Sequence, residues 1–111
     1  MEDEDRRQMQ RSCIVKIGTL RGHVDVRSPC SIEGWAQNSH HPEVPVCLDI
    51  LAEGRLIGQA LANLYRGDLR AAGLGSGRHA FTFRPNPALE GSPASIEVRR
   101  SLDGAVLTGR R

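Results

Sequence analysis

Residues 44–60 read Val44-Pro45-Val46-Cys47-Leu48-Asp49-Ile50-Leu51-Ala52-Glu53-Gly54-Arg55-Leu56-Ile57-Gly58-Gln59-Ala60. Two apolar-rich runs are separated only by Glu53-Gly54, and glycine readily adopts the positive φ that a two-residue hairpin turn requires. The pattern predicts a β-hairpin of two substantial strands. Every second residue of its first strand is apolar, so that one face should turn toward a core. The residues of that face are Val44, Val46, Leu48 and Ile50.

The length and composition predict one small domain. The chain has 111 residues, of which only 4% are aromatic, so Val, Ile, Leu and Ala must supply most of its core. There are 15 basic and 13 acidic residues, a formal net charge of +2. This balance gives no strong field for a phosphate backbone, and we expect no nucleic acid partner.

The first eleven residues are charged and polar, and we expect a disordered or flexible lead-in over 1–11 followed by a single domain over 12–109. Residues 12–17 are rich in β-branched side chains and predict an edge strand. No apolar signal-peptide core is present, and no apolar run approaches the roughly 20 residues that span a membrane. We therefore expect no membrane insertion and, if the chain is complete, a cytoplasmic location. The oligomeric state is left open.

Alternating apolar and polar residues predict further strands over residues 22–27, 30–36, 78–84, 94–101 and 105–108. Residues 67–73 predict a short helix that begins with an N-cap at Asp68 and ends at Gly73. The result is about seven strands with one short helical insertion. Because sequential hairpins dominate, we expect an all-β fold of antiparallel sheets, a β-sandwich rather than a closed barrel.

The cysteines Cys13, Cys30 and Cys47 are widely spaced and form no Cys-x-x-Cys pair, so they indicate neither a zinc ribbon nor a redox motif. A bridge between Cys30 and Cys47 is geometrically feasible if their strands are neighbours. Free thiols, buried or half-buried in a reducing compartment, are the favoured interpretation.

Several short motifs, taken together, resemble a small bacterial immunoglobulin-like β-sandwich module. They are Gly22-x-Val24-Asp25, Ile32-x-Gly34-Trp35-Ala36, Pro45-Val46-x-Leu48-Asp49-Ile50-x-x-Glu53-Gly54-Arg55-Leu56-Ile57-Gly58, Ala62-Asn63-x-Tyr65-Arg66-x-Asp68-Leu69 and Gly73-x-Gly75-x-Gly77-x-His79-Ala80-Phe81-x-Phe83. Similar modules recur in multidomain proteins beside glycosyltransferase-like or surface-associated domains. The resemblance covers residues 20–108 and departs at Gly67, where the pattern has proline. It implies an immunoglobulin-like accessory domain and carries over no catalytic residue.

Three motifs that suggest ligand chemistry have simpler structural explanations. Arg66-Gly67-Asp68 spells the integrin-recognition tripeptide, but Asp68 is also placed to start a helix. The glycine-rich run 73–77 ends a helix, whereas a phosphate-binding loop opens one. His40-His41 lacks a third ligand at a fixed spacing, so we expect no metal and no cofactor.

The sequence contains no Gly-x-Ser-x-Gly elbow, no His-Glu-x-x-His helix and no Cys–His arrangement. Its acidic residues fall at polar positions of alternating strands, where pairing with arginines across strands explains them. We therefore expect that the protein is not an enzyme.

Trp35 separates the two functions that remain. Strand alternation points its side chain outward, where an aromatic ring beside Tyr65 or the His40-His41 loop would offer a platform for sugars. A lone tryptophan in a sandwich usually lies in the core, which is the placement we expect. The function predicted is a non-catalytic interaction or spacer module, and the alternative is a carbohydrate-binding accessory module. The predicted contacts with a protein or glycan partner are Trp35, His40, His41, Tyr65, Arg66 and Asp68.

Overall fold

The computed structural model describes residues 18–89 and 95–107 and is almost entirely β. The strands are β1 (Leu20–Arg27), β2 (Ile32–Asn38), β3 (Val46–Ala52), β4 (Arg55–Ala62), β5 (Leu64–Tyr65), β6 (Arg78–Phe83), β7 (Ile96–Arg100) and β8 (Val106–Leu107). One short helix, α1 (Gly67–Ala71), lies between β5 and β6. The predicted lead-in over 1–11 and the predicted strand over 12–17 lie outside the described residues.

The strands form two four-stranded antiparallel sheets. The first sheet has the order β1-β2-β6-β5, and the second sheet has the order β4-β3-β7-β8. Both sheets contribute to one core, as expected when each sheet has one apolar face to bury. Its buried members are Val24, Ile32, Ala36, Val46, Leu48, Ile50, Ala62, Phe81, Ile96, Val98 and Leu107. The prediction of an all-β fold with antiparallel sheets is confirmed.

The predicted hairpin is formed by β3 and β4. Its two turn residues, Glu53 and Gly54, have φ values of 53° and 79°, the pair of positive angles that a type I′ turn uses. Ala52 pairs with Arg55 across the turn. Three of the four residues predicted to face inward are buried, but Val44 precedes β3 and is 58% exposed, because the strand begins only at Val46.

We expect Gly54→Val to lower the free energy of unfolding by about 1–2 kcal/mol, the usual cost of a left-handed conformation for a residue with a Cβ. No atom lies within 4 Å of the position that a Cβ would take at Gly54, so backbone strain is the only cause. Gly54→Asn is the matched control, because asparagine tolerates positive φ. Denaturant titration measures both, and equal losses for the two variants would contradict this explanation.

The helix α1 ends as predicted but begins differently. The φ of Gly73 is 85°, its N–H donates to the Arg70 carbonyl, and the Leu74 N–H donates to the Leu69 carbonyl. These two bonds form a Schellman motif. The N-cap is Arg66 rather than Asp68, and no side chain caps the helix. Asp68 lies within the first turn, and its carboxylate accepts hydrogen bonds from the Arg66 side chain instead of capping the helix.

Gly34 lies opposite a β-bulge and against the ring of Phe81. The pairing of β1 with β2 shifts between Val24 and Val26, which leaves Asp25 as the extra residue of a β-bulge opposite Gly34. The ring of Phe81 lies 3.0 Å from where a Cβ on Gly34 would be. The bulge and the aromatic ring together explain why this position has no side chain.

The described cysteines are free, but the prediction of burial is wrong. Cys30 precedes β2 and Cys47 lies in β3 of the other sheet, and both thiols are exposed. Strand alternation explains Cys47, because its neighbours Val46 and Leu48 take the core face. Cys13 lies outside the described residues. Within the described residues, no helix has the length and apolar character needed to cross a membrane.

The last residue of β7, Arg100, is a buried arginine at one end of the second sheet. Arg100 is only 6% exposed, and its Nη1 donates to the Gly18 carbonyl at 2.8 Å. Its Nε and Nη2 donate to the two carboxylate oxygens of Asp103 at 2.9 and 2.7 Å. This pairing, helped by the Ala105 N–H, lowers the pKa of Asp103 to about 2.

The depressed pKa of Asp103 predicts a loss of stability in acid. A carboxyl that is more acidic in the folded than in the unfolded chain contributes stability above the unfolded pKa of 3.8, and this contribution is lost as pH falls toward 2. Urea midpoints at pH 5 and at pH 2.5 should therefore differ less for Asp103→Asn than for the parent chain. Glu53→Gln, at an exposed turn, should keep the parent's difference. Parallel pH profiles for parent and Asp103→Asn would contradict the prediction.

Candidate functional site

Trp35 lies outside the core, contrary to expectation. β2 turns Ile32, Gly34 and Ala36 toward the core, and alternation places Trp35 on the outer face of the first sheet, where it is half-buried. The physical reason is that the strand period fixes its direction, while Phe81 supplies the aromatic ring against Gly34 on the inner face. The ring of Trp35 packs edge-to-face on His23, with centroids 5.8 Å apart.

A row of side chains crosses the outer face of the first sheet at the level of Trp35. His23 pairs with Trp35, Trp35 pairs with Ala80, and Ala80 pairs with Leu64. Directly opposed residues of neighbouring strands share a face. The row thus runs from β1 to β5, and its last member, Leu64, is 48% exposed.

A charged network extends across the same face. His23 Nε2 lies 2.7 Å from Asp25 Oδ1, and Arg66 Nη1 donates to Asp25 Oδ2 at 2.6 Å. Arg66 also binds Asp68 through Nε at 3.0 Å and Nη2 at 2.7 Å. Because β1 and β5 are the two edges of the first sheet, the Arg66–Asp25 pair joins these edges across the outer face. We call His23, Asp25, Arg66 and Asp68 the outer-face network.

The network leaves an excess of carboxylate. Two aspartates surround one guanidinium, and all three of its nitrogens already donate to them. The hydrogen bonds to Asp68 are the largest cause of a raised pKa of Arg66, and they lower the pKa of Asp68 in turn. Although Nη1 and Nη2 each keep a second N–H, the charge of Arg66 is outweighed by two carboxylates, whose oxygens can accept further hydrogen bonds.

A shallow depression of about 220 Å³ lies beside the network. Its lining includes Glu33, Leu64, Tyr65, Arg66 and Thr82, and Tyr65 is 53% exposed. Pockets that enclose a whole small ligand are larger, about 300–1,000 Å³. The depression suits one side chain or one sugar ring.

The loop that carries His40 and His41 contacts the glycine-rich run 73–77 at one end of the domain, and not the segment that carries Tyr65, Arg66 and Asp68. The Glu43 carboxylate accepts hydrogen bonds from the Ser76 N–H at 3.1 Å and the Ser76 hydroxyl at 2.8 Å, and these bonds lower the pKa of Glu43. His40 and His41 are exposed beside them. In the part of the chain that the structure describes, no hydrogen bond, ion pair or ring contact links either histidine to the outer-face network.

The structure thus brings together Arg66 and Asp68 from the predicted set, with Trp35 and Tyr65 on or beside the same face. Sequence reasoning missed His23 as a site residue and treated Asp25 only as a polar strand position. The available signal for Asp25 was Gly34, because a glycine within a strand often marks a bulge, and the bulge frees Asp25 from its strand pairing. Among the described residues, no group of three His, Cys, Asp or Glu side chains is arranged to hold a metal ion.

No protein-family model, no curated protein and no solved structure matches this chain. The geometry of the outer face is therefore the basis for inferring a function.

Proposed function

We propose that this chain is a non-catalytic immunoglobulin-like interaction module of a bacterial protein, and that it binds a protein partner through the outer face of its first sheet. Strand order supports the fold assignment. If the eight strands are named A, B, C, C′, D, E, F and G in chain order, the first sheet becomes ABED and the second becomes C′CFG. Immunoglobulin constant-type domains pair an ABED sheet with a CFG sheet, and C′ is the usual added strand.

The observation that carries the binding proposal is the position of Trp35. A small domain with few aromatic residues has placed its single tryptophan outside the core, against His23 and on the face crossed by the outer-face network. Tyrosine and tryptophan are enriched at protein interfaces, where their rings bury much area and lose little conformational entropy. Exposed Tyr65 and Leu64 extend the apolar part of this surface.

The charges indicate the chemistry of the partner. At the network, the single positive charge of Arg66 is outweighed by the two carboxylates of Asp25 and Asp68, so an acidic group that docks there would meet an excess of negative charge. A partner segment that carries lysine or arginine would instead find acceptors in the network and aromatic faces nearby. The preferred partner is therefore a basic protein segment.

The shortest hydrogen bond from a serine hydroxyl to a carboxylate among the described residues lacks the arrangement of a catalytic site, which supports a non-catalytic role. Ser101 Oγ donates directly to Asp49 Oδ1 at 2.6 Å, with no imidazole between them. This bond lowers the pKa of Asp49, which keeps that carboxylate ionised as an acceptor. Serine nucleophiles require an adjacent general base, and the bond leaves Ser101 as a structural donor.

A carbohydrate-binding accessory module is the second candidate function. The observation that favours it is the combination of Trp35 and Tyr65 with carboxylate acceptors beside a depression of about 220 Å³. Sugar rings stack on aromatic faces, and their hydroxyls donate to carboxylates. Such a module would bind neutral glycans, and it would ignore basic peptides.

We expect Trp35→Ala and Tyr65→Ala each to weaken binding at least tenfold, which corresponds to about 1.4 kcal/mol. Arrays of basic peptides, acidic peptides and neutral glycans identify the ligand class. The affinities of the parent chain and of Tyr65→Ala are then measured by titration, with the fluorescence of Trp35 as the signal. Leu56→Ala, at an exposed position on the second sheet, is the matched control and should bind like the parent. The double variant His40→Ala/His41→Ala measures the contribution of the loop.

Binding to basic peptides alone supports the protein-partner proposal, and binding to glycans alone replaces it with the second candidate. If the parent chain prefers acidic peptides, or if Leu56→Ala weakens binding as much as Trp35→Ala does, the outer face of the first sheet is not the binding surface.

A further inference from the structure

An apolar groove of about 450 Å³ lies at the end of the second sheet where β3 begins and β7 ends. Val44 and Leu102 flank it, and they are 58% and 70% exposed, among the most exposed large apolar side chains of the described residues. Pro45 and Cys47 also line the groove. Apolar surface concentrated around one concavity marks a place where another segment packs.

The described chain begins at the rim of this groove. The Gly18 N–H donates to Asn38 Oδ1 at 2.8 Å, and the Gly18 carbonyl accepts from Arg100 Nη1 at 2.8 Å. Asn38 and Arg100 both line the groove. A Cβ at Gly18 would lie 2.5 Å from His40 N and Ser39 Oγ, so the backbone is closely confined there. The first described residue, Gly18, is therefore held at a fixed point beside the groove.

The sequence immediately before Gly18 is rich in apolar residues that could pack in an apolar groove. Residues 13–17 read Cys-Ile-Val-Lys-Ile, and in an extended conformation Cys13, Val15 and Ile17 share one face while Lys16 lies on the other. Five extended residues reach about 17 Å. We propose that residues 13–17 dock in this groove, with Val15 and Ile17 packed between Val44 and Leu102.

Docking would shield a thiol that is otherwise exposed. Cys47 lines the groove, whereas Cys30 is exposed before β2 and does not line it. In the full-length parent chain, we expect iodoacetamide to alkylate Cys47 at least tenfold more slowly than Cys30, each rate being normalised to its value in urea. Val15→Asp should bring the Cys47 rate within twofold of the Cys30 rate. Lys16→Asp, on the opposite face, is the matched control and should leave Cys47 protected.

Equal rates at Cys47 and Cys30 in the parent chain would overturn the proposal. So would protection of Cys47 that increases with protein concentration, because that result assigns the groove to a second copy. Equal effects of Val15→Asp and Lys16→Asp would also contradict docking by one face. Circular dichroism identifies a variant that fails to fold.

A second test needs no substitution. Diamide accepts the two electrons and two protons released when a pair of thiols forms a disulfide, and peptide mapping identifies the pair. In the native parent chain, we expect the bridge between Cys13 and Cys47 to dominate, because docking of residues 13–17 would bring Cys13 to the groove that Cys47 lines. A distribution of bridges equal to that in urea, or a dominant bridge to Cys30, would refute docking.

Discussion

Replacing Gly34 by valine should lower the free energy of unfolding by about 3 kcal/mol or more, because it overpacks the core and also disrupts strand pairing. A Cβ at Gly34 would overlap the carbonyl oxygen of His23 in the neighbouring strand. It would also lie 3.0 Å from both the Phe81 ring and the Val24 Cα. Two of these three neighbours are backbone atoms, which cannot rotate away. Denaturant titration measures the loss.

A pair of rescue experiments tests whether the backbone is the cause. At Gly58, the three atoms nearest to an added Cβ all belong to the ring of Phe83, the closest at 2.5 Å. Phe83→Leu should therefore recover much of the stability lost in Gly58→Ala, whereas Phe81→Leu should recover little of that lost in Gly34→Ala. Equal rescue at the two sites would show that the ring of Phe81, and not the pairing of β1 with β2, limits the space at Gly34.

The elements that the sequence predicts well are those with a strong local pattern. The hairpin of β3 and β4 depends on two adjacent turn residues, and the end of α1 depends on Gly73. By contrast, β5 was not predicted, because it has two residues and exists through its pairing with β6. A strand that short has no period of its own, so it cannot be recognised without its neighbour.

In the candidate site as well, residues that lie close together in the sequence can be predicted, whereas those that meet only in the folded chain cannot. Arg66 and Asp68 belong to one tripeptide, Arg66-Gly67-Asp68, which can be recognised from the local sequence alone. Asp25 is 41 residues from Arg66, and the two meet only because folding places β1 and β5 in one sheet and the Arg66 side chain reaches Asp25. The general preference of a lone tryptophan for the core predicts the wrong side of the sheet for Trp35, whereas the strand period predicts the outer face. That period was visible in the sequence and was correct.

Replacing Arg100 by methionine should lower the free energy of unfolding by about 2–4 kcal/mol, because it removes a buried donor from groups that remain in place. Methionine fills a similar length but donates no hydrogen bond. The Gly18 carbonyl would lose its bond from Arg100, and Asp103 would lose both of its bonds from the guanidinium. Gly18 is buried, so its carbonyl would be left poorly solvated.

Arg99→Met is the matched control for this substitution. Arg99 is adjacent in β7, but its side chain is 41% exposed and pairs with the exposed Glu97, so its loss should cost less than about 1 kcal/mol. Urea titrations at pH 7 measure both variants.

The pH dependence of stability separates the loss of the ion pair from the loss of packing. The pKa of Asp103 is low chiefly because of Arg100, so the stability of Arg100→Met should depend less on acid pH than that of the parent, as expected for Asp103→Asn. Equal costs for the two arginines, or an acid sensitivity in Arg100→Met equal to that of the parent, would show that Arg100 stabilises the domain by packing alone.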